Sequence, residues 1–135
     1  MKIKERIDEI ESINVGFDIS LAEKKLNLLN TLLKDIENSS LLDICKISRD
    51  EIISILQNCY GIFYEIGNTK QNLPNLNWEL DFSIRILNIA RLLFGNSKDL
   101  LPYLSLTLVN SISDTNLHNS ISLEIVEINN QPLSP

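Results

Sequence analysis

Apolar side chains in this chain recur every three to four residues along most of its length. That period selects helices over strands before any other property is weighed. Forty-three of the 135 residues are leucine or isoleucine. Ile3, Ile7, Ile10 and Ile13 define a short amphipathic helix that ends near Asn14-Val15-Gly16. Ser20, with Glu23 three residues on, has the spacing of a capping box. The helix it opens carries Ala22, Leu26, Leu29, Leu33 and Ile36 in one stripe, widened by Leu21, Leu28 and Leu32, and stops at Asn38-Ser39-Ser40. Leu41 to Ile47 is read as a short helical turn. Ser48 and Glu51 repeat the capping-box spacing before Ile52, Ile55, Leu56, Cys59, Phe63 and Ile66, a helix reaching about Gly67. Gly61 inside it implies a close helix–helix contact.

Asn68 to Asn77 is a loop around Pro74. Asn77 is placed to cap the next helix, where Trp78, Phe82, Ile86, Ile89 and Leu93 share a side and Leu80, Ile84 and Leu87 occupy another. A helix apolar on two sides belongs at the centre of the fold. Gly95-Asn96 ends it. Ser97 or Asp99 opens the next, with Pro102 in the first turn and Leu101, Leu104, Leu108 and Ile112 continuing to about Asp114. The last segment reads two ways. Ile121, Leu123 and Ile125 alternate as in a strand, whereas Leu117, Ile121, Ile125 and Ile128 have helical spacing. A lone strand would leave its backbone groups unpaired, so the helix is preferred.

The expected fold is therefore all-α, a bundle of five to six helices in a single domain over residues 1–130, with 131–135 a frayed tail. Leu29-Asn30 followed by Asn38-Ser39 echoes Leu87-Asn88 followed by Asn96-Ser97, which raises the alternative of two helix-pair units. No apolar run approaches the ~18 residues of a membrane span. The charged N-terminal segment lacks the apolar core of a signal peptide, and Cys45 and Cys59 sit in apolar helical patterns, so the expected location is the cytoplasm.

Reactive side chains are scarce. There is one histidine, His118, and the two cysteines form no CxxC motif. Both thiols lie among apolar neighbours and read as inert. His118 has no partner at metal-site spacing and reads as an exposed, idle imidazole. Carboxylates such as Glu5, Asp8 and Glu9 fall off the apolar stripes, where they support i,i+4 pairs. No glycine-rich phosphate loop and no GxSxG occurs. Neither a catalytic residue, a metal site nor a cofactor is expected. Asp81 and Arg85, one turn apart and joined by Asn88, form the polar strip of the central helix. They would line a groove if that strip is not simply solvated.

The net charge of −6 argues against a nucleic-acid partner, which demands cations facing the phosphates. Lys98 is the last basic residue, whereas Asp99, Asp114, Glu124 and Glu127 follow it. This pattern leads to the expectation of a small acidic, non-catalytic protein-binding module of the immunity, antitoxin or inhibitor type. It would cover a basic surface of another protein through Asp99, Tyr103, Asp114, Glu124 and Glu127. The alternative is a self-associating structural or assembly subunit, with the Ala22–Ile36 stripe as its seam.

Overall fold

The computed structural model describes residues 2–39, 46–74 and 77–132. Among these residues six α-helices and one 3₁₀ turn make up the regular structure, and no strand occurs. The chain is all-α, as the apolar period requires. Backbone contacts divide it into two compact units, residues 1–76 and 77–135. The expected turn at Leu41–Ile47 falls largely outside the described residues, as do Cys45 and the last three residues of the tail.

The N-terminal unit contains α1 (Ile3–Glu11), α2 (Ile19–Glu37) and α3 (Arg49–Asn68). The α1 helix ends at Glu11 rather than near Gly16. A tight turn follows, closed by the Asp18 N–H donating to Val15 O. Gly16 takes a positive φ of 56° there, which glycine adopts without steric cost. This turn displays Phe17 to solvent and delivers Asp18 to the start of α2. The cap of α2 is thus Asp18 and not Ser20: the Ser20 N–H donates to Asp18 Oδ1 at 2.9 Å. At α3 Ser48 caps the helix as its spacing predicts, with Glu51 N–H donating to Ser48 Oγ at 3.1 Å, and the Ser48 hydroxyl donates to Glu51 Oε1.

The α2 stripe Ala22, Leu26, Leu29, Leu33 and Ile36 is buried within this unit against Ile52, Ile55, Leu56, Cys59, Ile62 and Ile66 of α3. It is therefore unavailable as a seam between copies. Lys25 lies on the same buried side, where its ammonium donates to both oxygens of Glu65 on α3, at 2.9 and 3.2 Å. The α1 helix rests on both longer helices, held by Arg6 to Asp35 of α2 and by Asn58 of α3 to Glu11. Gly61 does not mark a close contact, because a Cβ built there meets nothing within 4 Å.

The C-terminal unit contains α4 (Trp78–Phe94), the 3₁₀ turn Lys98–Leu100, α5 (Leu101–Asn110) and α6 (Thr115–Asn129). Asn77 precedes α4 without closing its first turn by a side-chain bond, and Gly95, at φ 58°, ends the helix as expected. Phe82, Ile86, Leu87, Ile89 and Ala90 of α4 are buried, with Leu100 and Leu104 packed beside them. The α5 helix ends at Asn110, short of Asp114, because Asp114 serves the following helix: its Oδ1 accepts the Leu117 N–H at 3.1 Å. The last segment is a helix of 15 residues, which resolves the strand–helix ambiguity by the backbone argument. The Leu-Asn echo does not map onto equivalent positions, since Leu29 lies in the second helix of one unit and Leu87 in the first of the other.

Candidate interaction surface

Residues of the C-terminal unit that could meet a partner are best followed from the corner between α4 and α5. Phe94, in the last turn of α4, stacks on Tyr103 of α5 with ring centroids 5.9 Å apart and planes 14° from parallel. The end of α6 returns to the same corner, where the Gln131 side chain donates to Asn96 O at 2.8 Å. Asp99 follows Asn96 by three residues and Glu127 precedes Gln131 by one turn, so this bond joins the segments that carry the two acids, while Tyr103 belongs to the stacked pair. Asp99 and Glu127 are exposed and Tyr103 is half-buried, with Lys98 the exposed cation of the same turn.

The other two carboxylates have structural duties. Asp114 lies at the opposite end of α5, where it caps α6. Glu124 receives a two-pronged ion pair from Arg91 of α4, both bonds 2.8 Å long. Such a fork fixes the geometry of both groups as well as offsetting their charges. Of the five residues singled out from the sequence, Asp114 and Glu124 hold helices in place, Tyr103 stacks on Phe94, and Asp99 and Glu127 are exposed on segments joined by the Gln131–Asn96 bond.

The polar strip of α4 is graded: Asp81 and Asn88 are exposed, Arg85 half-buried. Exposed Leu92 continues it one turn on. Two open depressions lie on the N-terminal unit instead, one of about 400 Å³ along α2 from Ser20 to Thr31 and one of about 290 Å³ between α1 and α2 at Arg6, Glu9, Ile10 and Leu28. Neither is lined by Asp81 or Arg85.

Cys59 and His118 are each held by their surroundings. Cys59 is fully buried, and desolvation pushes its thiol well above the ordinary range, which suppresses the nucleophilic thiolate. His118 differs from its expected idle role. The ring is half-buried, with Nδ1 3.1 Å from Leu108 O and 3.2 Å from the buried Ser111 Oγ. A carbonyl oxygen only accepts, so the Leu108 bond places the proton on Nδ1. Ser111 Oγ donates to the same carbonyl at 3.1 Å, so neither group is presented as a nucleophile–base pair. Among the described residues no three His, Cys, Asp or Glu side chains gather as a metal cluster, and no helix is long and apolar enough to cross a membrane.

Sequence reasoning passed over the exposed apolar side chains Leu92, Val109 and Val126 of this unit and placed Ile112 in the apolar series of α5, whereas Ile112, like Leu123, is exposed. A signal for two of them was present. Once Leu117, Ile121, Ile125 and Ile128 are assigned to the inner side of α6, Leu123 and Val126 must face away from it. No protein-family profile, curated protein or solved structure gives a significant match to the chain.

Proposed function

We propose that the protein is a non-catalytic protein-binding module that neutralises or regulates a partner by covering a basic surface, in the manner of an immunity protein, antitoxin or inhibitor. What supports this reading is the Gln131–Asn96 bond, which joins the segment of exposed Glu127 to that of exposed Asp99 at Asn96, two residues from Phe94 of the stacked pair, in a stretch with no lysine or arginine after Lys98. Aromatic side chains supply contact area at low entropic cost, and flanking carboxylates steer a cationic partner. The overall charge of −6 works in the same direction at longer range. Asp114 and Glu124 take no direct part, since their carboxylates are engaged within the unit.

The test is the association rate with the partner recovered by affinity capture from the native source. Reversing both free charges, Asp99→Lys with Glu127→Lys, should slow association roughly tenfold at low salt and much less at high salt. An association rate unchanged at low salt would refute the assignment of this corner as the contact.

A further inference from the structure

The uncharged stretch between these acids points to a different occupant. We infer that the α5–α6 hairpin is a self-association surface, on which a second copy of this chain docks. The inference goes beyond the partner-binding reading and uses other residues.

The chain has 18 acidic and 12 basic side chains, yet from Leu100 to Leu123 the one charged residue is Asp114. At 22% charged residues overall, an even spread would place about five there. Asp114 itself is accounted for as the α6 cap. The solvent side of the hairpin is not merely neutral. Val109 is 67% exposed, Ile112 76% and Leu123 63%. On α5 the exposed positions Pro102, Ser105 and Val109 follow the three-to-four spacing of one helix face, and Ile112 extends it into the turn. Depletion of charge together with exposed aliphatic side chains is the composition of an interface core rather than of a solvated surface.

Charge also selects the occupant. Two copies that each carry −6 repel one another wherever their acidic surfaces approach. The Leu100–Leu123 part of the α5–α6 hairpin, with Asp114 as its one carboxylate, is where they can meet with the fewest carboxylates between them. A two-fold pairing lets the same apolar strip serve both copies. Two adjacent helices of this length present a face of roughly 20 Å by 20 Å per copy. With side-chain relief included, that places the pair near the low end of the ~1,200 Å² or more that stable interfaces bury. The dimer should accordingly be weak and reversible.

Sedimentation equilibrium on the full chain tests this directly. The wild type should move from 15.4 kDa toward twice that mass, with half-association in the range of about 10–100 µM. Val109→Glu, Ile112→Glu and Leu123→Glu should each weaken association at least tenfold while leaving the helical circular dichroism unchanged, because all three side chains are already in solvent. Asp99→Lys alone, at a position in the 3₁₀ turn and outside both helices of the hairpin, should leave it intact, so failure of one reading is separable from failure of the other. Raising salt should leave the dimer unchanged or tighten it, since it screens the residual repulsion. A strict monomer at about 200 µM, a dimer indifferent to all three glutamates, or one that dissociates with salt would each overturn the inference.

Discussion

The Lys25–Glu65 pair offers the sharpest energetic test of the N-terminal unit, because its two partners are unequally buried. The Lys25 side chain is 7% exposed and that of Glu65 32%. Removing the carboxylate by Glu65→Ala strands an ammonium group inside the α2–α3 contact. Breaking a fully buried pair in this way costs about 3–5 kcal/mol. Water reaching the outer edge of Glu65 lowers the expected loss to about 2–3 kcal/mol. For a chain of this length that corresponds to a fall in melting temperature of roughly 6–15 °C. Lys25→Met leaves a carboxylate that can hydrate in place and keeps most of the buried aliphatic stem, so its loss should be only about 0–1 kcal/mol. Combining Lys25→Met with Glu65→Gln should return stability to within about 1 kcal/mol of the wild type, because no buried charge remains. Urea denaturation followed by circular dichroism measures all four proteins. Equal losses for Glu65→Ala and Lys25→Met would refute the argument, since the asymmetry follows from the difference in burial alone.

Gly61 and Cys59 give two further expectations. Gly61→Ala should stabilise the protein by about 0.5–1 kcal/mol in the same denaturation assay, because the α3 helix gains propensity and the added methyl meets no neighbour. A loss of stability would reveal a contact at that position. The Cys59 thiol should resist alkylation in the native protein at pH 8 and react once the chain is unfolded in urea. Its folded pKa lies above the ordinary value of 9.0, so its contribution to stability is fully present below pH 9 and is lost as pH rises beyond it. The expected slope is about 1.4 kcal/mol per pH unit, and Cys59→Ala should remove that component from the alkaline stability profile.

What could be read from the sequence was local. The Ser48–Glu51 cap was legible because both partners of the bonds lie within one turn, and the burial of Leu26, Leu29 and Leu33 because their spacing matches the helical period. Ser20 misled for a physical reason: Asp18, two residues earlier, is an equally good cap, and the turn at Gly16 decides between them. Lys25 sits on the inner stripe, three residues from Ala22 and four from Leu29, so its position was readable. Its partner Glu65 lies on another helix and was not. The same limit hid the site. Nothing local to Glu124 announces Arg91, and nothing local to Asp99 or Glu127 announces the Gln131–Asn96 bond that joins the segments carrying them. His118 likewise looked idle only because the Leu108 carbonyl it meets ends a different helix.

That last contact bears on how the C-terminal unit opens and closes. The terminal carbonyls of a helix have no partner within it, and Leu108 O is satisfied by Ser111 from the turn and His118 from the first turns of α6. The N–H groups at the start of α6 are in turn closed by Asp114, which the same turn supplies. The end of α5 is thus completed by His118 of α6, and both helices take a cap from the turn between them, Ser111 for α5 and Asp114 for α6, so neither gains its full stability alone. The hairpin should therefore behave as one cooperative element in which amide protons of α5 and α6 exchange at a common opening free energy, rather than as two helices that fray independently.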